Sequence, residues 1–230
     1  AAQWQAFLNE VGETYHTYEK NLSANQLINE ILAQASSILD PIEILGIICQ
    51  KLAQAFDLHQ AAVAMLNADE SEAHVVAEYL AEGRPSALGL VFPIKDNPAT
   101  KLVIESREPI VIANVQKDPM MAMTRDSLEF RETVTLLIAP ILVGGRVIGT
   151  FGMDSLTERI FTEEEIALVK QVIATAGQVL ANAQLYTQLQ DELVAHKQTD
   201  AELSSCYRAA TQLLTFSNLE ELAQQIAENL

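Results

Sequence analysis

Ala139-Pro140-Ile141-Leu142-Val143-Gly144-Gly145-Arg146-Val147-Ile148-Gly149 is the stretch that decides the fold. A Gly pair between two apolar runs supplies the positive φ angles of a two-residue hairpin turn, so the flanks are antiparallel strands, read here as 133–142 and 146–154. Working outward, the segments 60–67, 74–80, 88–94 and 110–113 are short, β-rich and bounded by turn residues, which makes a sheet of six strands. Leu136, Leu137, Ile138, Ile141 and Leu142 are apolar on both faces of one strand, so both faces of the sheet need cover. A short helix fits 98–107. The stretch 116–132 exceeds an ordinary connection and holds Met120, Met121, Met123 and Phe130, which a plain solvent loop would not carry.

The ends of the chain change period. Residues 1–39 contain no Pro and one Gly, and Trp4, Phe7, Val11, Tyr15, Tyr18 and Leu22 recur at helical steps, followed by Ile28, Leu32, Ala35 and Leu39. This narrow stripe calls for a partner helix, most simply that of a second copy, and Asn25 falls on it. Asp40, Pro41 and Glu43 form a capped break before a helix from 41 to about 56. Thr162 caps another helix whose first turn is Glu163-Glu164-Glu165, favoured there by the helix dipole. Its apolar face runs from Ile166 through Leu185, thins over Leu189, Leu193, His196 and Asp200, and recovers at Leu203, Tyr207, Ala210 and Leu214. The pattern of Leu39 to Leu45 returns at Phe216 to Leu222, so a second break and the start of a further module are expected there. The organisation expected is a helix at 1–39, a domain at 40–186, a linker helix at 187–215 and the beginning of a truncated module at 216–230.

Composition narrows the function. With 14 Lys plus Arg against 31 Asp plus Glu, the net charge is −17, and no basic cluster interrupts it. Nucleic-acid binding and docking of a basic helix on a membrane both need the opposite sign. Cys49 and Cys206 are too few for a disulfide framework or a four-ligand zinc site and fit a reducing compartment. No uninterrupted apolar stretch of spanning length is read, and the expected setting is cytoplasmic. A nucleophile with a base, paired carboxylates at strand ends and a phosphate-cradling Gly loop are not found, so no catalytic residues and no metal ligands are assigned.

The hairpin stretch, the following Phe151-Gly152-Met153, and Phe161-Thr162-Glu163-Glu164-Glu165 leading to Ala181-Asn182-Ala183-Gln184-Leu185-Tyr186 resemble a GAF domain, the small-molecule sensing module of bacterial signalling proteins. The resemblance covers roughly 41–186. It implies an α+β fold with an antiparallel six-stranded sheet, helices on both faces, and long coiled-coil helices flanking it. The flanking helices look like those joining such modules to a histidine kinase or cyclase output, in which case this chain is a dimeric input module. The alternative is a ligand-free dimerisation spacer between other sensors.

In that fold the 98–107 helix and the 116–132 stretch cover one face and leave a lidded pocket. Phe92, Met121, Met123 and Phe130 would supply apolar wall, with Asp118, Arg125 and Thr135 as orienting polar groups. A filled core is the competing reading for the Met and Phe residues. Subclasses of the family are testable by residue. Cyclic-nucleotide binders resemble one another in an Asn-Lys pair and a Phe followed by Asp-Glu; here Asn97 precedes Pro98, and Glu165-Ile166 stands at the second place, so the motif is incomplete. Covalent bilin needs a pocket Cys, and 58–154 contains none. The same lack counts against reduction of free methionine sulfoxide. Haem needs an axial His, for which His59 and His74 are the candidates, but a lone His near a strand end is far more often a surface or packed residue, so haem is not expected. The ligand itself stays open.

Overall fold

Gly144 and Gly145 take φ of 58° and 81°, and the hairpin they close joins strands of nine and ten residues. The computed structural model describes residues 26–31, 33–34, 38 and 40–228. In chain order these give α1 (Pro41–Ala55), β1 (Gln60–Leu66), β2 (Glu72–Leu80), β3 (Val91–Pro93), α2 (Pro98–Ser106), β4 (Ile110–Ile112), a 3-10 turn (Pro119–Met121), α3 (Arg125–Phe130), β5 (Thr135–Val143), β6 (Arg146–Ser155) and α4 (Glu163–Glu228). Contacts divide the chain into two compact units, Ala1–Ala183 and Gln184–Leu230.

In the first unit all strand pairs are antiparallel, in the order β3-β2-β1-β6-β5-β4. The expected six-stranded sheet with helices on both faces is therefore present. β4 pairs only with Leu136–Ile138, so at Pro140 one side of β5 is a free edge, where a missing N–H costs nothing. The strand expected at 88–94 shortens to Val91–Pro93, because Gly89 turns the chain at φ 80°.

Period-two alternation splits the apolar residues between two layers. On one face Leu137, Ala139 and Ile141 of β5 and Phe151 and Met153 of β6 pack against Ile44, Ile48 and Leu52 of α1 and Val169, Val172, Ile173, Ala176 and Leu180 of α4. On the other, Leu136 and Ile138 meet Ala99 and Val103 of α2, with Met121. Asp40 caps α1 by accepting the Ile42 N–H at 2.9 Å, and Pro41 takes the first helical position. Thr162 and Glu165 form a reciprocal capping box, Glu165 N–H to Thr162 Oγ1 at 3.2 Å and Thr162 N–H to Glu165 Oε2 at 2.9 Å. Arg159 ties the two helices: its guanidinium donates to Phe56 O at 2.7 Å and to Glu165 at 2.8 Å.

Residues 26–31 and 33–34 are helical and belong to the first unit: Ile31 is in the core, and Glu30 pairs with Lys51 at 3.0 Å. The stripe from Trp4 to Leu22 and Asn25 lie outside the described residues.

Two expectations need correction. The break at 216–218 does not occur, since α4 is helical through Glu228. The break at Asp40 has Pro41, whose ring cannot continue a helix from upstream, whereas Ser217 and Asn218 each cost less than about 0.7 kcal/mol inside one. By length and composition, Glu163–Ala183 is apolar enough to cross a membrane, with mean hydropathy 1.3. Its Val169, Val172, Ile173, Ala176 and Leu180 are nevertheless buried against the sheet, which is how the core helix of a folded domain comes to pass such a test.

In the second unit, Leu189, Leu193, Leu203 and Tyr207 are exposed, and His196 Nδ1 lies 3.3 Å from Asp200 Oδ2 one turn on.

Candidate functional site

The sheet face opposite α1 and α4 carries a cavity of about 130 Å³ that is open to solvent on one side. Its floor is the outward set of the central strands: Ala62 and Ala64 of β1, Leu136 and Ile138 of β5, and Thr150, Gly152 and Asp154 of β6. Small residues in the floor leave the space that Phe92, Leu90, Met121 and Leu128 wall in. One face of α3 closes it: Thr124, Ser127, Leu128 and Arg131 stand at steps of three and four and all line the cavity.

One end is polar and buried. Register places Gln60 of β1 opposite Asp154 of β6. Asp154 Oδ2 accepts from Gln60 Nε2 at 3.0 Å, Thr133 Oγ1 at 3.1 Å and Arg131 Nη2 at 3.2 Å. Gln60 Nε2 also reaches Arg131 O at 3.2 Å and Thr133 Oγ1 at 3.1 Å. Arg131, only 4% exposed, stands between Asp154 and Glu78, whose Oε2 is 3.7 Å from its Nη1. Glu78 in turn accepts the Ala87 N–H at 2.8 Å and the Ser86 hydroxyl, and Arg84 donates to Arg131 O and to Glu132. Burial pushes the Asp154 carboxyl above its ordinary range, opposed by the Arg131 charge and by its hydrogen-bond donors. Two buried polar atoms have no hydrogen-bond partner although their residues line the cavity, Arg131 Nη1 and Thr124 Oγ1. Thr124 occupies the N-cap position of α3 without using its hydroxyl as a cap.

Family comparison decides what this arrangement is. The GAF domain family matches residues 40–180. The chain belongs to the GAF family. No curated protein matches it. Among solved structures, the phycoerythrobilin-bound GAF domain of a cyanobacterial phytochrome is 18% identical with TM-score 0.62, over 71% of this chain and 97% of that one. Residues 122 to 287 of a methyl-accepting chemotaxis protein are 19% identical with TM-score 0.59, over 68% and 98%. The free methionine-R-sulfoxide reductase of Neisseria meningitidis, solved with its substrate, is 15% identical with TM-score 0.60, over 71% and 91%. These likenesses establish a shared fold. GAF domains are sensory and regulatory modules of signalling proteins rather than catalytic units, although one of these neighbours is an enzyme.

Of the residues expected in the GAF pocket, the structure brings Phe92 and Met121 to the cavity. Met123 and Phe130 are 61% and 73% exposed. Phe130 follows Leu128 by two residues, about 200° around the helix, and so points away when Leu128 points in. Asp118 and Arg125 organise the loop instead: Asp118 Oδ1 accepts the Met120 N–H at 2.9 Å, and its carbonyl accepts from Arg125 Nη2 at 3.1 Å. Thr135 lies on the helix-side set of β5, donating to Ala113 O at 2.9 Å and accepting the Arg159 N–H at 3.1 Å. Neither cysteine lines the cavity; Cys49 is in the helix-side core, where burial pushes its thiol up, and Cys206 is exposed. His59 is exposed, and His74 lies 3.4 Å from Glu72, outside the cavity wall.

The residues missed were Gln60, Glu78, Arg131, Thr133 and Asp154. A signal existed: Asp154 is an acidic residue next to the end of a strand whose stretch from Val147 to Met153 holds only apolar, Gly and Thr residues, and it is in phase with Thr150 and Gly152.

Proposed function

We propose that this chain is the small-molecule sensor of a larger signalling protein, relaying the state of its cavity through its terminal helices to an output domain of histidine kinase or cyclase type. The observation that carries the reading is the division of labour within β5 and β6. Leu136, Ile138, Thr150, Gly152 and Asp154 face the cavity, while the residues between them, Leu137, Phe151 and Met153, seat α1 and α4. A ligand that shifts these strands therefore repacks both helices, and interlocked cores respond by switching between arrangements rather than by stretching. The exposed stripe of Leu189, Leu193, Leu203 and Tyr207 supports a homodimer joined by its long helices.

Native mass spectrometry of the protein as expressed tests this, compared with Ala62→Leu, which fills the cavity from its floor. The wild type is expected as a dimer carrying an extra small mass and the variant as a dimer of bare chains. Bare dimers of both proteins would favour a dimerisation spacer, and monomers would remove the relay through paired helices.

A further inference from the structure

Resting on the homodimer proposed above, we infer that the second unit carries an intersubunit divalent-cation site of the Zn²⁺ type, with His196 and Asp200 of each chain as its four ligands. Leu189, Leu193, His196, Asp200, Leu203 and Tyr207 follow one another at alternating steps of four and three, and all six are exposed in the single chain. This period of 3.5 is the seam of a left-handed coiled coil. The flanking charges favour a second copy, parallel and in register, as its occupant. Glu192, at the g position, then stands beside the partner's Lys197, at the e position five residues on. Opposite charges at these two positions set partner and orientation.

His196 and Asp200 interrupt the apolar seam in consecutive layers, about 6 Å apart along the helix axis. His196 Nδ1 and Asp200 Oδ2 lie 3.3 Å apart. That is wider than the about 2.7–2.9 Å of a charge-assisted hydrogen bond. Ligand atoms about 2.0–2.2 Å from a tetrahedral zinc ion are separated by about 3.3–3.6 Å, so the two side chains stand at the spacing of two zinc ligands. Among the described residues no single chain gathers three or more His, Cys, Asp or Glu for a metal, and pairing supplies the other two ligands. Charge points the same way. Without a cation the paired helices would seat two Asp200 carboxylates in one seam layer, whereas two carboxylates and two neutral imidazoles balance one divalent ion and fill its four positions. The mixed nitrogen and oxygen donors suit zinc better than calcium or magnesium, which take oxygen ligands.

The test uses the whole chain, stripped with EDTA and titrated with zinc chloride at pH 7, followed by calorimetry and native mass spectrometry. The double variant His196→Leu with Asp200→Leu continues the apolar seam and serves as the control. The wild type is expected as a dimer binding one Zn²⁺ per two chains, and the double variant as a dimer that has lost this ion. Cobalt(II) in place of zinc should give the strong visible absorption of a tetrahedral site in the wild type alone. Asp200→Asn, which keeps the shape and removes the charge, should weaken zinc binding by more than about tenfold, since even outer-shell partners of metal ligands are worth that much. A wild-type dimer that takes up no zinc, one zinc per chain, or the same uptake by the double variant would overturn the site and leave the dimer standing. Monomers of both proteins, with and without zinc, would overturn the dimer reading and the site with it.

Discussion

Asp154→Ala is expected to destabilise the first unit by about 3–5 kcal/mol, the loss typical of removing one partner from a buried ion pair. Its Oδ2 is the shared acceptor of Gln60, Thr133 and Arg131, so truncation takes the acceptor from Thr133 Oγ1 and Arg131 Nη2, while Gln60 Nε2 keeps Arg131 O and Thr133 Oγ1. Arg131 would keep only Glu78, at 3.7 Å and outside good hydrogen-bond geometry. Urea denaturation reads the effect, and a loss below about 1 kcal/mol would mean that the network relaxes around the gap. Asp154→Asn keeps an acceptor oxygen and gives a pH signature. Burial raises the Asp154 pKa, so the folded protein holds this proton to higher pH than the unfolded chain does. The stability that Asp154 contributes is then full below about pH 4 and is lost as pH rises through its folded value. The stability of the wild type minus that of Asp154→Asn should fall as pH is raised from about 4. A difference that rises instead would show that the Arg131 charge outweighs desolvation.

Gly177→Ala should cost about 2–4 kcal/mol in the same assay, against a helix-propensity gain of about 1 kcal/mol. A Cβ at Gly177 would lie 2.2 Å from the Leu142 carbonyl oxygen and 3.2 Å from its carbon, backbone atoms with no rotamer to escape into. The β-bulge between Ile141 and Leu142 sits at this contact. Accommodating the methyl means lifting α4 from β5 and loosening Val172, Ile173, Ala176 and Leu180, all buried there. A neutral or stabilising outcome would show that the helix already has room to move on the sheet.

The sheet was legible because its cues are local. Gly144-Gly145 demands a hairpin, and Leu136 to Leu142 demands cover on two faces. The capped helix starts at Asp40 and Thr162 were legible for the same reason, each cap reaching only two or three residues ahead. The cavity was only partly legible, because its lining depends on the phase of α3 and on register between strands distant in sequence. Met121 and Phe92 could be chosen as apolar groups near a lid, but choosing Leu128 over Phe130 needs the start of α3, and pairing Gln60 with Asp154 needs the β1–β6 register. Asp118 and Arg125 looked like ligand groups because they are polar on an unusual loop. The loop uses them to satisfy its own backbone, as short polar side chains before a turn commonly do.

Methionine-methyl NMR during titration with toluene, a small probe matched to the apolar part of the lining, reads the coupling of cavity and helices, because the five methionines sample both faces of the sheet. Met121 lines the cavity, Met153 lies in the core beneath α1 and α4, and Met123 is exposed to solvent. Saturable shifts of Met121 and Met153 with one dissociation constant, a still Met123, and neither shift in Ala62→Leu are the expected result. A Met121 shift without any response at Met153, or shifts that persist in Ala62→Leu, would contradict a cavity coupled through the sheet to the helices.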